Sequence, residues 1–266
     1  NNTSGGNDGA IRAASSGIKI YSSLIANNKG GGLVFGSGDS TAFLQNVTVV
    51  NNSNDAGIYA NSKVRILNSI VRGNQSVQLH VNAEDLFVAY SDIEGGLEGV
   101  KVTESGTVDW NTGNIDADPL FTDPDNNDFT LQHTSPCIDA GDPASEYDPD
   151  GTIADMGAYY YHQIFGCTDS SACNYDPNAN VDDGSCNEYI EILDIPENVT
   201  VLDNSNCFYQ SDLDVIQIFI DNSSETINME FDFNVNGIIE PLELGQIQHW
   251  SNGRIIKLES HSSGIY

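Results

Sequence analysis

The segment with the most specific chemistry lies close to the C-terminal end of the chain. Residues 232–243 read DFNVNGIIEPLE and fit the calcium-loop pattern D-x-N-x-N-G-x5-E in full. Carboxylate, amide and backbone carbonyl oxygens are the ligands that Ca2+ prefers in proteins. The residues expected to supply them are Asp232, Asn234, Asn236, Ile238 (through its backbone carbonyl), Glu240 and Glu243. We therefore expect a Ca2+ site in this loop.

A second group of oxygen-bearing side chains alternates earlier in the chain. Its members are Asp176, Asn178, Asn180 and Asp182. Their spacing is that of the first ligands of a calcium loop, but Val181 stands at the position of the turn glycine and Asn187 at that of the last glutamate. Two interpretations remain open for this stretch: a Ca2+ site, and a linker held by disulfides.

The cysteines indicate an oxidising compartment. All five lie in the second half of the chain, at Cys137, Cys167, Cys173, Cys186 and Cys207. None has the C-x-x-C or histidine spacing of a zinc site, so disulfides are the expected use. Five cysteines allow at most two bridges within the chain and leave at least one thiol over. We favour a bridge between Cys167 and Cys186, with Cys173 and Cys207 as the candidate second pair.

The charge distribution narrows the range of partners. The chain has 9 Lys and Arg against 39 Asp and Glu, a net charge of −30. No basic residue lies between Lys101 and Arg254, an interval that contains 30 of the acidic residues. Such a surface repels nucleic acid and anionic membranes. It suits a salt-rich habitat, bound calcium, or both.

Short elements repeat through the first hundred residues and must position the side chains there. The segments IKIYSSLIANN, AFLQNVTVVNN, VRILNSIVRGN and FVAYSDIEGG align with one polar residue of each in a single column, at spacings of 24, 22 and 23 residues: Ser22, Asn46, Asn68 and Ser91. Each unit alternates apolar residues and contains no helix-length amphipathic run. This period predicts strand–turn units that stack into a β-solenoid.

The corners between these units carry a second pattern. Asn27/Asn28, Asn51/Asn52 and Gly73/Asn74 occupy equivalent places in successive units. Asn and Gly tolerate left-handed backbone, so we expect tight corners there. Stacking then places the Asn side chains above one another, where they are expected to form a hydrogen-bonded ladder.

The repeat resembles the right-handed parallel β-helix family, which includes pectate lyases and many bacterial surface proteins. The likeness concerns the scaffold and covers about residues 1–100. Residues 114–162, with DPLF, SPCIDAG and GAY, resemble the terminal segment of secreted bacterial β-helix proteins. This implies a cap in which five apolar residues cover the open end of the last coil: Leu120, Phe121, Phe129, Leu131 and Ile138.

Two further resemblances divide the second half. GCTDSSACNYDPNANVDDGSC, residues 166–186, is similar to a short module of secreted multidomain proteins of marine Bacteroidetes. PLELGQIQHWSNGRIIKLE resembles the lead-in to leucine-rich-repeat arrays of the same class of proteins. Between them, YIEILDI and VTVL predict strands, and residues 211–224 predict a helix with Ser211 as its N-cap and a common apolar face: Leu213, Ile216, Phe219 and Ile220.

Side chains for polysaccharide chemistry are present but form no motif. Arg65 and Arg72 accompany scattered acids in the repeats, namely Asp55, Glu84, Asp85, Asp92 and Glu94. No cluster of acids repeats at the period of the units in a way that would align carboxylates in adjacent coils, and the histidines lack a nucleophile motif. We predict no catalytic residue. The exposed run Tyr159–Tyr161 suits either sugar stacking or packing of the cap.

The fold class predicted is mainly β: a right-handed parallel β-helix with a C-terminal cap, a disulfide-tied loop module, and a small α+β region with an EF-hand-like loop. The expected boundaries are 1–100, 101–165, 166–187 and 188–266. We expect a piece of a longer protein, because rung-like sequence begins at Asn1, with further domains on both sides.

The function predicted is non-catalytic. We expect a secreted or cell-surface protein stabilised by Ca2+, with adhesion or contact with a polysaccharide or cell-surface glycan as its work. No apolar stretch is long enough to insert into a membrane. A polysaccharide lyase or glycosidase groove on the coils is the alternative, and a structural spacer is the second alternative.

Overall fold

A computed structural model describes residues 9–14, 17–53, 55–203, 205–223, 232 and 238–259. The chain divides into two compact units, Asn1–His162 and Gln163–Tyr266. We refer to them as unit 1 and unit 2. In the described part of the chain, no helix is long and apolar enough to cross a membrane.

Unit 1 is a β-solenoid of about four coils, as the repeat predicts. Short strands on one side form a parallel sheet in the order β1-β3-β5-β8-β11. Their bounds are Ile11–Ala13 (β1), Leu33–Phe35 (β3), Ile58–Ala60 (β5), Leu79–Val81 (β8) and Val100–Val102 (β11). Successive strands of such a sheet lie about 4.8 Å apart, which sets the rise per coil.

The second sheet holds the remaining strands of the coils. Its strands are β2 (Lys19–Ala26), β4 (Ala42–Val50), β6 (Val64–Leu67), β7 (Ile70–Arg72), β9 (Asp85–Ala89), β10 (Asp92–Ile93) and β12 (Thr107–Trp110). Strand β4 pairs with β6 through its first half and with β7 through its second half, always in parallel. In the third and fourth coils, this sheet is therefore bent at a corner.

Alternation along each strand builds the core. In β5, Ile58 and Ala60 point inward and are buried, whereas Tyr59 between them points outward. The same alternation stacks Leu33, Ile58 and Leu79 in one column of the interior. Because each coil buries its apolar face against the next one, the coils stabilise one another.

The predicted ladder of Asn side chains is confirmed at the corners. Asn28 Nδ2 donates to Asn52 Oδ1 at 2.9 Å, Asn52 Nδ2 to Asn74 Oδ1 at 2.9 Å, and Asn74 Nδ2 to Gln78 Oε1 at 2.8 Å. Asn52 is fully buried, and its Oδ1 also accepts the backbone N–H of Asn28. The ladder thus satisfies polar groups that burial would otherwise leave unpaired.

The other predicted column is correct in three coils and wrong by one residue in the fourth. Ser22, Asn46 and Asn68 have left-handed backbone, and the equivalent residue of the fourth coil is Tyr90, with φ of 46°. Ser91 instead stacks beside Ser69 and accepts the Ser69 backbone N–H through Oγ at 3.1 Å. Tyr rarely adopts left-handed backbone, so the presence of Tyr90 in the sequence did not indicate a corner at that position.

The segment after the last coil runs back along the side of the solenoid. It contains the antiparallel strands β13 (Phe121–Asp123) and β14 (Asp128–Leu131). Leu131, Cys137 and Met156 pack with Ile70 of the third coil in a cluster separate from the solenoid interior, and Phe121 and Ile138 border that cluster.

These contacts correct the expected cover over the end of the last coil. Ile70 turns outward at the corner after Asn68 and supplies an apolar surface on the side of the coils. At the last coils, the residues that pack against the interior belong to the coils themselves. They are the partly buried Val100, Val108 and Trp110.

In its described residues, unit 2 contains short strands and one α-helix. Strands β15 (Phe165–Gly166) and β16 (Val181–Asp182) pair in parallel, β17 (Tyr189–Glu191) pairs with β19 (Cys207–Tyr209), and β20 (Ile247–Ser251) lies between β18 (Val199–Val201) and β21 (Arg254–Glu259). Helix α1 spans Gln210–Asn222.

The predicted helix is confirmed, but its N-cap and one face residue are wrong. Leu213, Ile216 and Ile220 are buried against Phe208 and Trp250, whose rings meet edge to face at 5.0 Å. Tyr209 is the N-cap because the helix continues directly from β19. Phe219 is 51% exposed, since its position on the helix lies well away from that of Leu213.

Both favoured disulfides are present in unit 2. Cys167 bridges to Cys186 and Cys173 to Cys207, with Cα–Cα distances of 4.8 Å and 5.7 Å. The second bridge ties the Cys-rich segment to strand β19. The thiol left over is that of Cys137, which is buried in unit 1. Burial raises the pKa of this thiol to about 12, so it stays protonated.

Candidate functional site

A groove lined by tyrosines lies in unit 1, between the coils and the segment that folds back over them. Its volume is about 740 Å3. Four tyrosines line it and remain 42–57% exposed: Tyr21, Tyr147, Tyr159 and Tyr160. Gln45, Asn46, Glu146 and Asp148 add polar groups to the same walls. We call this cavity the tyrosine groove.

The two walls of the tyrosine groove are fixed to each other by hydrogen bonds. Asn46 Nδ2 donates to the carbonyl of Asp155 at 2.8 Å, and the N–H of Ala158 donates to Thr48 Oγ1 at 2.9 Å. The N–H of Gly157 donates to the carbonyl of Asn68 at 2.8 Å. The tyrosines are therefore presented from strands and tied loops, so little conformational entropy is lost when a ligand binds.

A buried carboxylate holds the loop that carries two of these tyrosines. Asp155 is 1% exposed and accepts the N–H of Tyr161 at 2.6 Å and that of Asp139 at 2.7 Å. Burial raises its pKa to about 7, against the opposing effect of these two hydrogen bonds. Asp148, whose Oδ2 accepts the Asp155 N–H at 2.8 Å, also has a pKa raised by burial.

Arg72 lies in an ion-pair cluster on the second sheet. Its Nη1 donates to Asp92 Oδ1 at 3.0 Å and to Asp116 Oδ1 at 2.9 Å. Asp92 is fully buried, and burial raises its pKa to about 6. Within the described residues, Asp92 Oδ2 has no hydrogen-bond partner. The guanidinium is thus engaged by two carboxylates of its own chain.

Arg65 lies in a different environment. Its guanidinium stacks over the ring of Phe87 at 3.9 Å, a cation–π contact between neighbouring coils. Arg65 belongs to β6 and Arg72 to β7, on either side of the corner at Asn68. Each arginine therefore makes its own local contacts within unit 1.

The predicted calcium loop is described only in part. Asn234, Asn236 and Gly237 lie outside the described residues. Of the others, Asp232 is half-buried, Ile238 and Glu240 are exposed, and Glu243 is 2% exposed.

The end of this loop forms a capping box. Glu243 Oε2 accepts the Glu240 N–H at 3.0 Å, which is one half of the box. The Glu243 N–H also donates to the Glu240 carbonyl at 2.9 Å, which closes the 3-10 turn. Ile239 is buried among the apolar residues of unit 2. Pro241 begins a single 3-10 turn, Pro241–Glu243.

In the second predicted set of ligands, the side-chain oxygens accept hydrogen bonds from backbone N–H groups. Asp176 Oδ1 accepts the Asn178 N–H at 2.9 Å, Asn180 Oδ1 accepts the Ile164 N–H at 2.8 Å, and Asp182 Oδ1 accepts the Gly184 N–H at 3.0 Å. Such bonds are the usual work of Asp and Asn in turns. Across the part of the chain that is described, no three His, Cys, Asp or Glu side chains converge as a metal site.

Sequence reasoning found part of the tyrosine groove. It marked Tyr159–Tyr161 as possible sugar-stacking residues but missed Tyr21 and Tyr147. Tyr21 occupies an outward position of β2, which the alternation of that strand reveals, whereas Tyr147 reaches the groove only because its segment folds back. No known protein family matches this chain, and no curated protein or solved structure is significantly similar to it.

Proposed function

We propose that unit 1 binds a glycan in the tyrosine groove, and that this contact serves adhesion by a secreted or cell-surface protein. The observation that carries the proposal is the convergence of four exposed tyrosines on one cavity. Exposed aromatic side chains gathered in a groove mark binding surfaces, because they bury a large contact area on binding and lose little conformational entropy.

The chemistry of the groove suits a sugar. A tyrosine ring offers a flat apolar face to the C–H groups of a sugar ring, and its hydroxyl offers a polar tip. Gln45 and Asn46 bring amide groups, which pair with sugar hydroxyls as donors and acceptors. Apolar faces combined with a few fixed polar groups are the usual composition of a small-ligand site.

The two disulfides support an extracellular location, because such bridges persist in oxidising compartments. We further propose that the solenoid is right-handed, the hand that parallel crossover connections favour. In this proposal the protein is a rigid display surface, and the glycan is bound without being cleaved.

The test is a glycan array followed by calorimetry with the full chain. We expect saturable binding of an oligosaccharide that Tyr147→Ala and Tyr159→Ala each weaken about 10-fold or more, as loss of a well-packed aromatic anchor does. Tyr175→Ala is the matched control, since Tyr175 is exposed to a similar degree in unit 2. Cleavage of the bound glycan would favour a lyase or glycosidase, and absence of binding would favour a spacer.

We also propose that residues 232–243 bind Ca2+ with the ligands named from the sequence. Support comes from the buried Glu243 carboxylate and from the capping box that fixes it beside Glu240. When bound, the ion would offset the mutual repulsion of the carboxylates of Asp232, Glu240 and Glu243. Calcium titration by calorimetry should give saturable heat that Glu243→Gln and Asp232→Ala abolish, while Glu188→Gln, an exposed acid that does not share a cavity with Glu240 and Glu243, leaves it unchanged. Heat that none of these variants alters would contradict the site.

A further inference from the structure

A row of five residues, three of them basic, crosses the outer face of the sheet of short strands. The register of that sheet places five residues side by side, one from each strand: Arg12, Val34, Tyr59, His80 and Lys101. Each is the middle residue of a three-residue strand. In β3, β5 and β8 its two neighbours point into the core. The row is therefore fixed by the coils, and its ends lie about 19 Å apart at four strand spacings.

This row lines a polar groove of about 550 Å3. Arg12, His80 and Lys101 bring basic groups to it, in a chain that has only 9 Lys and Arg in all. Ser37, Asn61 and Ser76 add hydroxyl and amide groups. Among the described residues that line it, the one carboxylate is that of Asp55, which also accepts the Ala56 N–H at 2.8 Å. We call this cavity the basic groove.

A hydrogen-bonded chain orients the central histidine. The Thr103 hydroxyl donates to Asn82 Oδ1 at 2.8 Å, and Asn82 Nδ2 donates to Asn61 Oδ1 at 3.1 Å. With the Thr103 proton directed at Asn82, the 3.0 Å contact between His80 Nε2 and Thr103 Oγ1 is a hydrogen bond in the tautomer that carries the proton on Nε2. The Tyr59 ring meets the imidazole edge to face at 4.9 Å.

The surroundings of His80 favour its neutral form. Burial lowers its pKa, the nearby Lys101 lowers it further, and Asp55 opposes the shift. In the Nε2–H tautomer, Nδ1 of the neutral ring is an acceptor, which suits a hydroxyl donor.

We propose that the basic groove binds an acidic sugar, with its carboxylate or sulfate at Lys101 or Arg12 and its hydroxyls at His80, Asn61 and the serines. This site is independent of the tyrosine groove, because the two cavities have no lining residue in common. It concerns a different chemical class of ligand, one that carries a negative charge.

The charge of the whole protein argues for a sparsely charged ligand. At a net charge of −30, densely charged polymers such as nucleic acid are repelled at long range. A saccharide with only an occasional acidic group places this negative charge near the protein surface only at the basic groove. Its remaining surface of hydroxyl groups matches the polar lining, which a stretch of acidic peptide does not match.

The experiment compares oligosaccharides of one backbone in neutral, uronate and sulfated forms, titrated calorimetrically into the full chain. We expect the acidic forms to bind and the neutral form to bind at least 10-fold more weakly, and the tighter acidic form identifies the anion. Raising NaCl from 0.1 M to 0.5 M should weaken the binding, because salt screens exposed charges.

Variants locate the site. Lys101→Gln or Arg12→Gln, whichever removes the cation that pairs with the anion, should weaken binding of the acidic form about 10-fold, and no loss in either variant would contradict the site. Lys63→Gln, which removes an exposed cation elsewhere on the coils, should leave the binding unchanged. In histidine NMR titrations, the acidic ligand should raise the pKa of His80, because a nearby anion favours the imidazolium. The His80 signal is assigned by its loss in His80→Gln.

Several results would overturn the proposal. Equal binding of the neutral form, equal loss in Lys63→Gln, or an unmoved His80 pKa would each place the ligand elsewhere. Tighter binding of an acidic peptide or of single-stranded DNA would contradict the sugar. Inorganic sulfate that binds as tightly as the sulfated oligosaccharide would show a site for free anions.

Discussion

Units 1 and 2 are held together by different means. In unit 1 each coil repeats the contacts of the one before it: apolar columns inside and a ladder of buried Asn side chains at the corner. Unit 2 has a smaller core around Phe208 and Trp250, and two disulfides add covalent ties. Repetition produces long, fixed surfaces, and both candidate grooves lie on them. Seven of the 9 basic residues also lie between positions 12 and 101.

The largest expected effect comes from removing the covalent ties of unit 2. Reduction of both disulfides should destabilise unit 2 by about 2–5 kcal/mol per bridge, because the unfolded chain regains the freedom of the closed loops. Unit 1 should keep its stability, since its cysteine is a free thiol. The variant Trp250→Phe retains only Trp110, whose fluorescence reports the unfolding of unit 1, and Trp110→Phe retains only Trp250, which reports on unit 2. Thermal unfolding of the two variants before and after reduction therefore measures each unit separately. Equal shifts of the unfolding temperature in both units would contradict the claim that only unit 2 depends on disulfides.

Within unit 1, the most sensitive point is the ion pair of Arg72. Arg72→Ala leaves the buried Asp92 without its cation and should cost about 3–5 kcal/mol at pH 7.5. The cost should shrink at pH 5, where Asp92, with a pKa of about 6, is protonated in the native protein. Denaturant unfolding of unit 1 at the two pH values measures this difference. Arg65→Ala is the matched control and should cost less, because its cation–π contact is exposed.

Prediction from sequence succeeded where contacts are local or periodic. The coils and the Asn corners follow from the repeat spacing, because each unit of a solenoid contacts mainly its neighbours. In unit 2, helix α1 follows from its apolar periodicity, and the two favoured cysteine pairs are the ones that form. The side-on packing of Leu131 and Met156 against Ile70 joins residues far apart in sequence, which no local pattern encodes. The shift from Ser91 to Tyr90 arose because a Tyr rarely occupies a left-handed corner.

The two grooves illustrate the same limit. The basic row was missed because only the register of short strands brings Arg12, His80 and Lys101 side by side. Aligning the middle residues of those strands, rather than the corners, would have revealed it. The tyrosine groove includes Tyr147, which reaches it only because the segment after the last coil folds back along the solenoid.

The stability of unit 1 should fall as the pH rises from 4 to 7. In this range the unfolded chain has released the Asp155 proton, whose ordinary pKa is 3.8, whereas the folded protein retains it up to about pH 7. The stabilisation is complete below pH 4 and is lost on the way to pH 7, at roughly 1.4 kcal/mol per pH unit at most. Asp155→Asn should flatten this slope, and the exposed-site control Asp125→Asn should not. A slope identical in all three proteins would contradict this account of Asp155.

A smaller loss is expected at one step of the Asn ladder. Asn52→Ala removes the acceptor of the buried Asn28 N–H and the donor to Asn74 Oδ1, which should cost about 1–3 kcal/mol. Asn51→Gly is the neighbouring control, because Asn51 is exposed and left-handed, a conformation that Gly adopts freely. Chemical denaturation compares the two. A control as damaging as Asn52→Ala would show that the corner, rather than the ladder, carries the stability.

The measurement that tests glycan binding most directly is NMR of the full chain with ring-labelled tyrosine, titrated with the oligosaccharide selected on the array. The chain has 11 tyrosines, which provide internal controls. The account predicts that the ring signals of Tyr21, Tyr147, Tyr159 and Tyr160 shift together with one affinity, while those of Tyr175, Tyr189 and Tyr209 in unit 2 stay in place. Shifts confined to unit 2, or spread evenly over all tyrosines, would contradict a glycan site in the tyrosine groove.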